Sequence, residues 1–205
     1  MNMMIVDVET DGIPLWHEPS DDPRQPHLVQ YTAVLFDAGT GEEEEFTTLT
    51  VRPDGWTIPA ELVAIHGITT EQATKEGVPL REVVNSFISM TARADLVAAY
   101  GIEFDLRIMR IAMLRCGFTK AQCGAHRDSM RTHCVQRQVT PLCRLPPTDK
   151  MMRAGRKTWK TPTLTEAVAI LLHEELDDAH DSRADVLATK RVFMVANREK
   201  RAVPA

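Results

Sequence analysis

No apolar run comes near the roughly 18 residues that a membrane helix needs, and the N-terminus lacks a basic-then-apolar leader. Those two absences argue against membrane spanning and export, and place the expected protein in the cytoplasm. There is no Cys-x-x-Cys pair. Cys116, Cys123, Cys134 and Cys143 stand at intervals that fit no common zinc spacing, although His126 and His133 lie among them, so reduced, mostly buried thiols are expected. An excess of positive charge is lacking too. With 24 Lys and Arg against 29 Asp and Glu the formal net charge is -5, which excludes a general nucleic-acid coat with a broad basic surface. It leaves room for an enzyme that grips nucleic acid locally around an acidic centre. No internal repeat or linker interrupts the chain, so one domain over residues 1–205 is expected, with an ordinary apolar content of 43%.

What is present starts with Met3 to Gly12, MMIVDVETDG. Met3, Met4, Ile5, Val6 and Val8 read as a strand buried on both faces. Asp7 and Glu9 sit two apart within it and therefore project from one face. Paired carboxylates in a mostly buried strand are costly unless cations neutralise them. An exposed strand end running into the turn Thr10-Asp11-Gly12 is the alternative, and further acids arriving from elsewhere in the chain would decide between the two.

Along the chain, Pro14, Pro19, Pro23 and Pro26 make residues 14–27 a surface loop near the acidic centre. Leu28 to Asp37 and Glu44 to Arg52 read as strands joined by the Gly-rich turn Asp37 to Gly41, with Glu42 to Glu45 as a solvated strand entrance. Pro59 to Ile65 predicts a short helix stopped by Gly67, and Thr69-Thr70-Glu71 opens another. Pro79 to Arg93 is amphipathic, with Leu80, Val83, Val84, Phe87 and Ile88 facing a core. Asp95 to Tyr100 is a second buried strand, followed through Gly101 by a helix over Phe104 to Cys116. That order puts Asp105 in the first helical turn past a strand's carboxyl end, where functional residues of open α/β sheets gather. Asp128 to Arg137 reads as a short strand or turn and then a helix. Pro141 to Pro162 is the least regular stretch, and it is basic. Thr163 and Glu166 form a capping box. The last helix is expected from about Ala179 to about Arg198, turning Ala184, Leu187, Ala188, Val192 and Val195 inward. His180 and Asp185 on it would lie about 140° apart, so they can flank one centre only if its first turns point there. His17, His27 and His173 read as surface residues.

Asp7 with Glu9, Asp105, and Asp185 with His180 occur in an order and setting that resembles the DEDDh family of 3′-to-5′ exonucleases, typified by the proofreading epsilon subunit of bacterial DNA polymerase III. The family's Asp-x-Glu-Thr is similar to Asp7-Val8-Glu9-Thr10. Its His-Asn-x-x-Phe-Asp corresponds to Tyr100-Gly101-Ile102-Glu103-Phe104-Asp105 only in the Phe-Asp half. Its Ala-His-x-Ala-x-x-Asp resembles Ala179-His180-Asp181-Ser182-Arg183-Ala184-Asp185, with serine where alanine is usual. Ile65-His66-Gly67-Ile68-Thr69 and a lysine-tryptophan patch before a Leu-Thr-Glu helix also look like this family, and the resemblance covers roughly residues 3 to 196. Tyr100 and Gly101 replace residues that brace the family's site.

The resemblance implies a ribonuclease H-like α/β fold, a central mixed five-stranded sheet flanked by helices. It implies a phosphodiesterase with two Mg²⁺ or Mn²⁺ ions about 3.5–4 Å apart. Asp7, Glu9, Asp105 and Asp185 would be their ligands, hard oxygen donors suited to hard cations. His180 would be the general base, since an imidazole takes a proton near neutral pH. Thr10, His66 and Phe104 are substrate-contact candidates. Lys157, Trp159 and Lys160 could follow the phosphates of a single strand and stack on a base, or form a solvated loop. The expected reaction is release of 5′-mononucleotides from the 3′ end of single-stranded DNA. An RNA-trimming relative and a non-catalytic nucleic-acid-binding module are the alternatives. A DNA polymerase is a candidate partner, but no tail follows the last helix to tether one, so a free-standing enzyme is expected.

Overall fold

The computed structural model describes residues 1–176 and 181–202. Its centre is β1, Asn2–Thr10, in which Met3 to Val6 are all fully buried, as a strand covered on both faces requires. β1 pairs antiparallel with β2 (Leu28–Asp37), and β2 pairs antiparallel with β3 (Glu43–Thr50). On its other edge β1 pairs in parallel with β4 (Leu96–Ala99), which pairs in parallel with β5 (Thr132–Cys134). The mixed five-stranded sheet runs β3-β2-β1-β4-β5, the ribonuclease H-like arrangement the resemblance implied.

Helices cover both faces. The short α1 (Ala60–His66) and α2 (Thr70–Glu76) follow β3, then α3 (Leu80–Thr91), α4 (Ile102–Arg115) and α5 (Lys120–Ser129). Met4, Val6 and Val8 point to one face, where Val83, Phe87, Ile108 and Met109 of α3 and α4 pack on them. Met3 and Ile5 point to the other, against α6 (Val135–Cys143), α8 (Leu164–Leu171) and α9 (Ser182–Ala202). Each large apolar side chain withdrawn in this way contributes about 1.5–3 kcal/mol. By the same alternation Asp7 and Glu9 fall on the α9 side. Gly67 ends α1 in the left-handed region at φ 76, and capping boxes open α2 at Thr69 and α8 at Thr163. Cys123, Cys134 and Cys143 are buried and Cys116 is half-buried. Among the described residues no helix is long and apolar enough to cross a membrane.

Four local expectations need correction. The irregular stretch does not begin at Pro141. α6 runs through that proline to Cys143 and stops only at Arg144, which turns left-handed at φ 49; a further short helix, α7 (Asp149–Arg153), capped by the Thr148 hydroxyl, lies within the stretch. A proline there removes one N–H and crowds the carbonyl four residues back, which costs stability without by itself ending the helix. Second, the helix α5 reaches Ser129, inside the stretch expected to open with a strand or turn, and the capping box of Thr119 and Gln122 starts it. Third, α9 buries Val186, Ala188, Thr189, Val192, Phe193 and Ala196, whereas Leu187 is 37% exposed and Ala184 and Val195 only partly covered. Ser182 sets that rotation, as described below. Fourth, His27 is not a free surface residue: its side chain is 32% exposed, its Nδ1 lies 2.7 Å from Asp11 Oδ2 and its ring stacks on Trp56 at 4.5 Å.

Candidate active site

Beyond the pairing of Ile5 with Ala98, β4 no longer accompanies β1, and a cleft opens beside the second half of β1. Asp7, Val8, Glu9, Tyr100, Gly101, Phe104, Asp105, Leu164 and Asp185 line it, with a volume of about 290 Å³. Each acid arrives for a local reason. Strand alternation aims Asp7 and Glu9 together, and the ladder to β2 shifts register just after Glu9, a bulge of the kind that re-aims side chains beside functional sites. Gly101 turns the chain from β4 into α4, whose first turn brings in Asp105, 4% exposed. The backbone N–H groups of Asp105 itself and of Val8 lie near its carboxylate and partly oppose the effect of burial.

Asp185 comes from the first turn of α9, which does point at the cleft. Ser182, fully buried, has its Oγ 2.6 Å from Thr32 Oγ1 and donates to Gln30 Oε1 at 2.5 Å. Thr32 and Gln30 are the cross-strand partners of Asp7 and Glu9, so their side chains share a face with the two acids. The hydroxyl thus seats the start of α9 directly over the acidic pair. Asp181 Oδ1 accepts the N–H groups of Arg183 at 2.9 Å and Ala184 at 3.0 Å, capping the helix. The sequence shows serine in place of alanine, but the partners that give it its role lie some 150 residues away.

The electrostatics are those of crowded like charges. Burial, and then the charge of Asp185, push the Asp7 carboxyl up to about 7. Burial, reinforced by Asp7, Asp185 and Asp181, pushes Glu9 up to about 8. Burial and then Asp7 raise Asp105 well above the usual carboxylate range. Among the described residues no group of three or more His, Cys, Asp or Glu side chains is already gathered around one point as a coordination shell. The four acids line one cleft, with mutual repulsion opposing closer approach. This donor set, carboxylate oxygens with no sulfur among them, fits hard divalent cations. Their positive charge would offset the repulsion and the lost hydration.

The remaining expected residues divide. Phe104 lines the cleft. Thr10 is buried, and its hydroxyl serves its own turn by donating to Gly12 O at 2.7 Å. His66 is buried at the end of α1; its Nδ1 accepts from Ile68 N–H at 3.1 Å, and its Nε2 lies near the Thr10 backbone without a well-formed hydrogen bond among the described residues. Lys157, Trp159 and Lys160 do not line the cleft: Lys157 is exposed, Trp159 is 48% exposed and the Lys160 ammonium pairs with Glu166. His180 lies outside the described residues.

Tyr100 supplies a brace of a different kind from the histidine and asparagine it and Gly101 replace. Its hydroxyl donates toward Pro162 O at 2.9 Å and Thr163 O at 2.8 Å, and Gln136 Nε2 donates to the same Pro162 carbonyl at 3.1 Å. The segment leading into α8 is thereby tied to the cleft rim that Tyr100 and Leu164 form.

An exonuclease family model, RNase T, matches residues 4–193. Among solved structures the chain is similar to exonuclease I from Methylocaldum szegediense, at 21% identity over 98% of this chain and 41% of that one, with a TM-score of 0.74. It is similar to the zinc-bound complex of E. coli exonuclease I with single-stranded DNA, at 18% identity, 98% and 41% coverage and a TM-score of 0.74. A complex of the E. coli enzyme with a dT13 oligonucleotide gives 19% identity, 98% and 42% coverage and a TM-score of 0.73. The chain spans about two fifths of the length of these structures, and at such identities the likeness is one of fold. No curated protein matches the sequence.

Proposed function

Because the chain belongs to the RNase T exonuclease family, of the DEDDh 3′-to-5′ type, we propose that it is a single domain over residues 1–205 that hydrolyses the terminal phosphodiester bond at the 3′ end of single-stranded DNA and releases nucleoside 5′-monophosphates. One observation carries the reading: carboxylates from β1, α4 and α9, far apart in sequence, line one cleft. The likeness to exonuclease I bound to single-stranded oligonucleotides supports the choice of substrate.

In this reading Asp7, Glu9, Asp105 and Asp185 would hold two Mg²⁺ or Mn²⁺ ions, which when bound would supply positive charge against the phosphoryl oxygens and a more acidic water. Phe104 offers a ring to the terminal base. His66, with Nδ1 occupied by the Ile68 N–H, presents a protonated Nε2 near Thr10 and can donate to the terminal nucleotide. Thr10 acts through the shape of its turn. Lys157, Trp159 and Lys160, outside the cleft, add an outer contact to the bound strand beside the Pro162 segment that Tyr100 ties down, and His180 takes the proton from the attacking water.

With Mg²⁺ or Mn²⁺ and end-labelled oligonucleotides, stepwise 3′ shortening that EDTA abolishes is expected, faster on DNA than on RNA. Faster RNA trimming would reassign the substrate. Binding without trimming in either metal would leave only a nucleic-acid-binding module. Replacing His180 by Asn is expected to slow the reaction at neutral pH roughly a hundredfold and to flatten the acid limb of the pH–rate profile. An unchanged profile removes the residue from the base role.

A further inference from the structure

One residue before Phe104 on α4, a second groove begins. It has a volume of about 460 Å³ and runs between α4, α5 and the loop of residues 13–27. Its walls carry four cations, Arg107, Arg110, Lys120 and Arg127, against two acids, Asp21 and Glu103, in a chain whose net charge is -5. The acids are engaged: Lys120 Nζ lies 2.7 Å from Asp21 Oδ2, and Glu103 pairs with Arg137. Arg127 pairs with the exposed Asp128 at 2.7 Å. Arg110 makes no close ion pair among the described residues, although Asp21, itself held by Lys120, lies near enough to feel its charge. The Arg107 guanidinium is held by Glu18 O at 2.5 Å, and its Nε, buried, has no hydrogen-bond partner among the described residues. From Glu103 to Leu114 the α4 wall is roughly 16 Å long, enough for more than one nucleotide.

The opposite lip carries Trp16, 51% exposed, beside exposed Ile13. An indole left in water on a loop needs a reason, and this loop is not slack. Gln25, 1% exposed, accepts from Leu15 N–H at 3.0 Å and donates to Leu15 O at 3.1 Å and Pro19 O at 2.9 Å. Arg115 of α4 fastens the same loop through Pro26 O at 2.7 Å. An aromatic side chain on a pinned loop, lining one groove with a row of cations, is the combination that holds single-stranded nucleic acid without sequence preference.

We infer that this groove receives the single strand leading away from the scissile 3′ end, its phosphates against Arg110 and Arg107 and a base stacked on Trp16. The inference rests on the exonuclease reading for the identity of its ligand. A phosphodiester strand suits the site better than an acidic peptide, because every nucleotide brings a flat ring together with its charge, whereas an acidic side chain brings the charge alone.

The test is equilibrium binding of a labelled fifteen-nucleotide oligothymidylate and of a trinucleotide in EDTA, where no cleavage occurs, to the native chain and to the Arg110→Gln and Trp16→Leu variants. Each variant is expected to bind the long strand about tenfold more weakly, with a smaller loss for the trinucleotide. The Arg110→Gln change should lower the slope of log affinity against log salt by about 0.7. Unchanged affinity and slope in both variants overturn the inference. So does a polyglutamate peptide that binds the native chain as tightly as the strand and is weakened equally by both changes. The two proposals fail separately: normal trimming with unaltered variant binding sinks the groove alone, and variant-sensitive binding without trimming in any metal sinks the catalytic reading alone.

Discussion

The Asp7→Asn chain is expected to lose 3′ trimming by roughly a thousandfold or more and yet to melt a few degrees higher than the native chain in cation-free buffer at about pH 8. Both effects have one cause. Asp7 faces Asp185 and neighbours Glu9 in a cleft that strips water from all three, and burial and repulsion hold Asp7 near 7 and Glu9 near 8. In the unfolded chain these groups titrate close to ordinary carboxylate values. Between about pH 4 and 8 the folded state therefore keeps protons that the unfolded state has released, and stability falls as pH rises through that window. The amide in place of Asp7 removes part of that loss, so the melting difference should be near zero at about pH 4 and largest above about pH 8. Mg²⁺ or Mn²⁺ should raise the melting temperature of the native chain far more than that of the variant. The measurements are thermal melts against pH and cation, beside the trimming rate. A variant that keeps a tenth of native activity, or that melts lower at high pH, shows the acids to be wrongly assigned. Stability given up at a working site is a common exchange, and here it has a named source.

The second large effect concerns the fold alone. Gly77 closes α2 where Val78 bridges to Val51 at the end of β3, with Arg52 N–H donating to Val78 O at 2.8 Å and Val78 N–H to Thr50 O at 2.8 Å. A methyl group on Gly77 would stand 2.3 Å from the Ala73 carbonyl oxygen and 2.7 Å from the Arg52 nitrogen, and both obstacles are backbone. No rotamer can relieve that contact. The helix end and the strand end must separate, at a cost of about 3 kcal/mol, and the Gly77→Ala chain is expected to melt about 6–12 °C lower than the native chain. Trimming well below the melting temperature should persist, because the cleft lies on β1, α4 and α9. An unchanged melting temperature would mean that the junction is looser than its hydrogen bonds imply.

How far the sequence reveals this molecule depends on how far apart the interacting residues lie. Short-range patterns were legible: the buried run of β1 with its two acids, the β2–β3 hairpin, the capping box at Thr163, and Asp105 in the first turn of α4. Their signals lie within a few residues of one another. The motifs also brought Asp7, Glu9, Asp105 and Asp185 together as candidates, and the fold lines one cleft with them. What escaped depends on distant partners. The rotation of α9 follows from Ser182 meeting Thr32 and Gln30, not from the helix's own apolar count, which is why Leu187, inward by helical spacing, is exposed in the fold. Tyr100 looked like a lost brace because its acceptors, the Pro162 and Thr163 carbonyls, cannot be recognised from its neighbours. Gln25, among prolines, gives no local sign that its amide binds the Leu15 and Pro19 backbone.

Gln25 has a consequence for affinity. A loop that must settle around its ligand gives up conformational freedom at the moment of contact, and each newly fixed residue weakens the complex. The segment bearing Trp16 is already locked by the glutamine amide and by two arginines before any strand arrives. Its preorganisation leaves stacking and charge attraction almost undiminished, so a few surface contacts can retain a flexible polyanion on a protein that otherwise repels it.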